Sequence, residues 1–367
     1  MAKTNERRIE KPKGAFARKP LWYKIFMIVA LVTILCLMGV IFYVYYLMSL
    51  ANYDDGSDHV IQEDYFETVP VEEYTHLPEA TLETIVDKET DGRSKEGITN
   101  ILLLGLDQES GNLSDALIVV TLDTNHKKIK LTSFMRDMLV QVPGYSNNKL
   151  NTPYQKGGIQ LVYDVFSHNF DLDLDGYVAV NYNMLEKVID KLGGISLYID
   201  ADEANFQNTS NFISNPAYRN LIPGATQTLN GCQVVGYCRN RVSLATSDFG
   251  RTQKQRIVLN AIYEKFKDQN LPELLSLMNT VFPYVTTDLD LVEMTSLATK
   301  VFDAGLLSSD IEQFRIPVDG GYTDSWYNAM LVLDVDFEKN IEELHNFIFG
   351  EEDQKEKDTD TESKKKE

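Results

Sequence analysis

Twenty-six consecutive residues without a charged side chain, Ile25 to Leu50 (IFMIVALVTILCLMGVIFYVYYLMSL), constrain this chain more than any other feature. At about 1.5 Å per residue, a helix of that length spans the roughly 30 Å hydrocarbon core of a bilayer with length to spare. A buried helix of a globular core would carry a polar stripe, and this run has none, so the sequence predicts a transmembrane helix over 25–50. Trp22 and Tyr23 before it, and Tyr43, Tyr45 and Tyr46 near its end, suit the two interfacial belts.

The charges flanking the run set its direction. Residues 1–24 hold eight Lys and Arg against Glu6 and Glu10, and the first basic residue after the run is Lys88. The positive-inside rule therefore keeps residues 1–24 in the cytoplasm and puts the rest outside. Ser49-Leu50-Ala51 would pass as a signal-peptide cleavage site, but the basic segment and the apolar stretch are both too long for one. The expectation is a single-pass anchor carrying an extracytoplasmic domain.

The whole chain of 367 residues has a net charge of −20, so beyond the basic N-terminus it is strongly acidic. Phosphate backbones are held by Lys and Arg, and such a bulk excludes general nucleic-acid binding. A cytoplasmic segment of 24 residues also leaves no room for a helix-turn-helix. The five histidines are scattered without metal-ligand spacing, which gives zinc chemistry no support. Cys36 lies in the apolar run, leaving Cys232 and Cys238 either as an external pair or as two buried thiols.

Residues 51–96 carry fourteen acidic and three basic side chains and read as a solvated stalk, while 351–367 (EEDQKEKDTDTESKKKE) reads as a disordered charged tail. Between them, 97–350 forms one globular unit. Its opening gives strands at 99–106, 115–122 and 128–134, followed by a helix at 157–170, a strand at 176–182, a helix at 183–192, a strand at 194–199 and a long amphipathic helix at 248–269. This order predicts an α/β fold: a single layered α/β/α domain around a central mixed β-sheet.

Three groups of residues suggest chemistry. Asp107 and Asp115 stand at the base of one loop if the first two strands are neighbours, and such paired carboxylates suit a hard divalent cation such as Mg2+. The run 239–256 (RNRVSLATSDFGRTQKQR) gathers Arg239, Arg241, Arg251, Lys254 and Arg256 around a single acid, Asp248. Alternation puts Arg239 and Arg241 on one face of a strand, and helical spacing puts Arg251 and Gln255 on one face of the next helix. Guanidinium groups at a helix N-terminus make a diphosphate clamp, although a solvated, salt-bridged surface has the same composition. The third group, 133–158, contains Arg136-Asp137, Lys149, Asn151 and Tyr154, which taken singly are ordinary turn and capping residues.

Taken in order, NILLLGLD, Ser114-Asp115-Ala116, Arg136-Asp137, VPGYSNNKLNTPYQKGG, YVAVNYNMLEKVIDKLGGI, LNGCQVVGYCRNR and DFGRTQKQRIVL resemble the LytR-CpsA-Psr family of cell-envelope proteins over about 97–270, and more weakly to about 350. The resemblance implies a phosphotransferase that moves a glycan polymer from a polyprenyl-diphosphate carrier to peptidoglycan at the cell membrane of a Gram-positive bacterium. It implies Asp107 and Asp115 as Mg2+ ligands, with Arg136, Arg239, Arg241, Arg251 and Gln255 as the diphosphate-binding and catalytic set. Asp248 would order the arginines, Asp137 or Asp248 could be considered as base, and an apolar pocket would hold the lipid tail. Membrane lipid and peptidoglycan are thus the implied partners, with no nucleic acid.

Two positions depart from the family pattern, Leu113 where Arg is usual and Met135 where Pro is usual. The first removes a cation near the metal. Two other readings share the site: a polyprenyl-diphosphate phosphatase, in which water replaces the wall hydroxyl, and a non-catalytic lipid-glycan binding or regulatory protein.

Overall fold

The computed structural model describes residues 38, 46, 52–54, 68–80, 82, 92–108, 111–240, 248–267, 269–270, 272–273, 276 and 280–350. The apolar run therefore lies outside the described residues except for Met38 and Tyr46, as does the tail from 351. No described helix is long and apolar enough to cross a membrane.

Seven strands form the central sheet: β1 (Asn52–Tyr53), β2 (Ile98–Asp107), β3 (Leu113–Asp123), β4 (Lys128–Phe134), β7 (Gly176–Asn181), β10 (Thr286–Thr287) and β11 (Ile311–Ile316). Their spatial order is β1-β10-β7-β2-β3-β4-β11. β3 runs antiparallel to both β2 and β4, whereas β7 lies parallel to β2 and β11 parallel to β4, so the sheet is mixed as expected. Three two-stranded pairs lie outside it: β5 (Leu139–Val140) with β6 (Asn148–Lys149), β8 (Ile195–Ile199) with β9 (Ala225–Leu229), and β12 (Tyr322–Tyr327) with β13 (Met330–Val335). The strand expected at 194–199 thus forms, but it pairs with β9 rather than joining the main sheet.

The period-two pattern of the strands divides their side chains between two layers. On one face, Leu102, Leu104, Leu117 and Phe134 pack against helix α1 (Pro153–Phe170), where Phe166 meets Phe134 edge-on at 4.9 Å. α1 bends where Gly157 and Gly158 leave helical geometry, so it begins four residues earlier than the periodicity predicts. On the opposite face, Ile101, Leu103 and Val178 meet Met294 and Leu297 of a later helix, Leu291–Asp303.

Beside the sheet, a second cluster joins β8 and β9 to three helices: α2 (Tyr182–Lys191), α3 (Ala201–Thr209) and α4 (Gly231–Arg239). Helix α5 (Asp248–Phe266) closes over it with Val258. Gly231 is required where α4 meets α2, since a Cβ there would stand 2.0 Å from the Glu186 carbonyl oxygen.

Cys232 and Cys238 both lie in α4, where each is buried and free. Six residues of helix separate them by about 9 Å, beyond disulfide reach. Parts of the acidic segment 51–96 pair with the folded unit, while Val71–Tyr74 has no buried residue. Asn52–Tyr53 forms the edge strand β1, and the Tyr177 hydroxyl donates to Asp54 Oδ2 at 3.1 Å. Further on, Val69 N donates to Ala329 O and Ala80 N to Trp326 O, each at 2.8 Å. The backbone of this segment thus finishes neighbouring strand edges, and the Asp54 carboxylate turns inward to the buried Tyr177 hydroxyl.

Candidate active site

β2, β4 and β7 share a direction, and their carboxyl ends meet the amino end of β3 at one edge of the sheet. Such an edge is where open α/β sheets place ligands, because the chain leaves it in loops and helix N-termini. Asp107 ends β2, Asn181 ends β7, and Arg136 follows β4 by two residues.

Asp115 owes its position to an irregularity. Leu106 opposes Ser114 and Gly105 opposes Ala116, so Asp115 is an extra residue in β3, a β-bulge. In a regular strand Asp115 would face away from Ala116; the bulge releases it from that alternation, and it borders the cavity at the sheet edge. Gly105 permits the close approach, since a Cβ there would stand 2.9 Å from that of Ala116.

Around the Asp115 carboxylate the structure brings together three donors. Arg136 Nη1 reaches Oδ1 at 2.5 Å, the Tyr182 hydroxyl donates to Oδ2 at 3.3 Å, and Arg251 Nη1 stands 3.7 Å from that same Oδ2. Arg136 is tied in by its backbone, its carbonyl accepting from Asn151 N at 3.1 Å, while Asn151 O accepts from Ser114 N at 2.9 Å. Arg136, Asp137, Lys149 and Asn151 of the 133–158 segment therefore belong to the site together. Within it, Asp137 bridges Lys149 Nζ at 3.0 Å and Arg136 Nε at 3.4 Å. Burial pushes the Asp137 carboxyl up, but Lys149 and Arg136, with Arg251 behind them, outweigh it and hold it below its ordinary value.

Arg239 is brought close, though not on a strand as alternation predicts. A capping box, with the Asn230 side chain accepting from Gln233 N and Gln233 Oε1 accepting from Asn230 N, starts a helix that runs through Arg239. Its guanidinium carbon lies 4.9 Å from the centroid of the Tyr182 ring, within cation–π range. Arg241 lies outside the described residues, and Asp248 is the first residue of α5. One turn after Arg251, Gln255 borders the cavity with its Oε1 buried and without a hydrogen-bond partner.

Sequence reasoning missed Tyr182 and did not select Lys149. Tyr182 opens α2 directly after β7, its place fixed by Asn181, whose side chain caps Met184 N. The signal was an Asn cap at the carboxyl end of a strand that neighbours the Asp107 strand. Burial, then Asp115 and Asp107, push the Tyr182 hydroxyl far above its ordinary value, so it is a donor at any physiological pH.

Met135, where the family pattern has Pro, donates its N–H to Ile316 O at 2.8 Å, a bond Pro cannot make. Leu113 is buried beside the bulge.

Beneath the polar groups lies an apolar cavity of about 200 Å³ between the sheet and helices α2 and α5. Leu103, Ile118, Val178, Leu185 and Val258 line it, and Asp115, Tyr182 and Gln255 border its polar end. Asp107 and Asp115 offer hard oxygen donors from neighbouring strands, a pair that suits Mg2+ when water and phosphate oxygens fill the remaining positions. Among the described residues no group of three or more His, Cys, Asp and Glu gathers to hold a metal unaided. Chemically, the arrangement presents cations to an anionic group whose apolar substituent enters the cavity.

Comparison with known proteins agrees with the fold. The model of the LytR_cpsA_psr family matches residues 66–346. Regulatory protein MsrR of Staphylococcus aureus (strain COL) is 27% identical over 237 residues, covering 62% of this chain and 67% of its own. The polyisoprenyl-teichoic acid–peptidoglycan teichoic acid transferase TagV of Bacillus subtilis (strain 168) is 30% identical over 207 residues, covering 55% of this chain and 51% of its own. A solved structure of TagT bound to LI-WTA superposes with a TM-score of 0.56 at 25% identity, covering 71% of this chain and 94% of that one. With three quarters of its length matched by the family model and its sheet shared with these structures, the chain belongs to the LytR_cpsA_psr family.

Proposed function

We propose that this chain is a membrane-anchored phosphotransferase that moves a glycan polymer from a polyprenyl-diphosphate carrier to peptidoglycan. The observation that carries this reading is the apolar cavity ending on Asp115, Tyr182 and Gln255, with Arg136, Arg239 and Arg251 gathered around that end. A lipid diphosphate has the same division, an apolar tail joined to a compact multiple anion, and Arg binds phosphate oxygens bidentately. Names borne by relatives, such as that of TagV, support the same substrate class.

In this reading Asp107 and Asp115 hold Mg2+, which when bound supplies neutralising charge to the phosphates. Arg239, Arg241 and Arg251 cradle the diphosphate, and Arg136 holds Asp115 in place. A peptidoglycan hydroxyl attacks the phosphorus next to the glycan: its O–P bond forms, the bridging P–O bond of the diphosphate breaks, polyprenyl phosphate leaves with the bond's electron pair, and the hydroxyl proton is released to solvent. Positioning and charge stabilisation carry most of the acceleration of such transfers.

The test incubates the full chain in detergent with a polyprenyl-diphosphate-linked saccharide, Mg2+ and peptidoglycan oligomers, beside Asp115→Ala and Arg251→Ala. Mg2+-dependent attachment of glycan to the oligomers, lost in both variants, is expected. Free glycan phosphate in place of attached glycan would make the protein a hydrolase. Lipid binding with no turnover would make it a binding protein.

A further inference from the structure

One side chain touches two of the groups assigned different tasks above. The Tyr182 hydroxyl donates to Asp115 Oδ2 at 3.3 Å, and the face of its ring lies 4.9 Å from the Arg239 guanidinium carbon. Tyr182 also lines the cavity at its polar end, between Asn181 and Leu185 of the same strand-to-helix junction. The ring stands on the first turn of a helix capped by Asn181, so its backbone is fixed by the sheet on one side and by α2 on the other.

Asp115 sits on a bulge of β3 and Arg239 in the last turn of α4, so the two groups come from separate elements. A rigid aromatic with a polar tip can hold both, because its hydroxyl fixes one carboxylate oxygen while its π face fixes a guanidinium plane.

We propose that Tyr182 is a positioning residue of this site, its hydroxyl orienting Asp115 and its ring seating Arg239, so that one side chain sets the spacing between the metal-binding carboxylate and the diphosphate-binding arginine. This rests on the phosphotransferase reading for the roles of those two residues. It adds a division of labour within Tyr182, the hydroxyl serving cation binding and the ring serving anion binding.

The division is separable by substitution. Tyr182→Phe removes only the hydroxyl, and Tyr182→Leu removes the hydroxyl and the π face while leaving an apolar side chain at the cavity. Two binding measurements on the full chain in detergent micelles, by isothermal titration calorimetry, read them: Mg2+ alone, and farnesyl diphosphate without Mg2+ as a short prenyl-diphosphate probe. Tyr182→Phe is expected to weaken Mg2+ binding by about 10-fold, the scale of losing a partner that orients a ligand, with the farnesyl diphosphate affinity unchanged. Tyr182→Leu is expected to weaken Mg2+ equally and farnesyl diphosphate by roughly five-fold, the scale of a partly shielded cation–π contact.

Wild-type affinities in both variants would overturn the proposal. So would equal losses of both ligands in Tyr182→Phe accompanied by a lowered melting temperature, which is the mark of packing alone. A wild-type chain that binds farnesyl diphosphate but no Mg2+ would refute the metal assignment. That outcome overturns the hydroxyl's role in cation binding, and the ring's role in seating Arg239 then stands only if Tyr182→Leu weakens farnesyl diphosphate binding and Tyr182→Phe does not. A wild-type chain that binds neither ligand would refute the phosphotransferase reading, and the proposal with it.

Discussion

Lys254 Nζ lies 2.5 Å from Glu203 Oε2, joining α5 to α3 through an ion pair whose two side chains are almost wholly shielded from water. Asn240 Nδ2 donates to the other carboxylate oxygen at 2.7 Å, and Lys254 Nζ also donates to the Asn240 carbonyl at 3.2 Å. The pair thereby fastens the residue that follows Arg239 to the helix that carries Arg251. Breaking a buried pair from one side leaves an uncompensated charge, and Lys254→Met or Glu203→Met is expected to cost about 3–5 kcal/mol. Thermal denaturation would record it, and the double variant should regain much of the lost melting temperature.

Arg251 and Arg239 approach the site from different helices, one beside Asp115 and the other over Tyr182. If both stabilise the charge of phosphoryl transfer, Arg251→Ala and Arg239→Ala should each lower kcat by about 10²–10³-fold, the usual effect of removing one electrostatic donor. Lysine at either position should restore only part of the rate, because a single ammonium cannot form a bidentate pair. Turnover in the glycan-transfer assay measures this.

The cavity gives an independent check on the lipid tail. Ile118 is buried in the middle of β3 and lines it. Ile118→Trp should fill part of the volume and weaken binding of a long polyprenyl diphosphate while sparing inorganic pyrophosphate. Equal effects on both ligands would mean that the cavity holds no tail.

His345 supplies a pH dependence of stability. Its Nε2 reaches the Phe170 and Asp171 carbonyls at 3.1 and 3.0 Å, and Arg93 Nη1 stands 3.4 Å from Nδ1. Burial first, and Arg93 second, push the imidazole below its ordinary value of 6.5. An unfolded chain protonates this group at higher pH than the native one does, so stability present above pH 6.5 is lost as pH falls through the native value. His345→Gln keeps a donor for the carbonyls, and its stability should fall less steeply below pH 6.5, by up to about 1.4 kcal/mol per pH unit. Denaturant melts between pH 7.5 and 5 would show parallel slopes if the prediction fails.

Cys238 is a buried thiol of α4 beside the cavity. Burial pushes its thiol up to about 12, so alkylation at neutral pH should spare it in the folded protein and reach it once denatured. Peptide mass spectrometry before and after adding guanidinium chloride distinguishes the two states.

What could be read from the residues followed the range of the interaction concerned. Strand runs such as DALIVVTL and KIKLTSF carry their own periodicity, and β3 and β4 form within two residues of their expected bounds. Asp115 and Arg136 converge because the neighbouring strands β3 and β4 bring them to one sheet edge, while Arg251 reaches Asp115 from α5. Arg239 was misread as strand because period-two alternation was followed past the Asn230–Gln233 capping box, a local signal that fixes a helix. The Glu203–Lys254 pair has no local signature, since its partners are 51 positions apart. Tyr182 escaped notice because an aromatic after a strand is ordinarily core, and only the bulge at Asp115 turns a carboxylate toward it.

That extra residue in β3 makes the carboxylate depend on a count. Deleting Ser114 would restore regular alternation against β2 and carry Asp115 to the opposite face, although no side chain of the site had been altered. Insertions and deletions in this strand pair are therefore the changes to watch among relatives: a sequence that keeps its aspartate and all its arginines still loses, by being one residue shorter, the place where they meet.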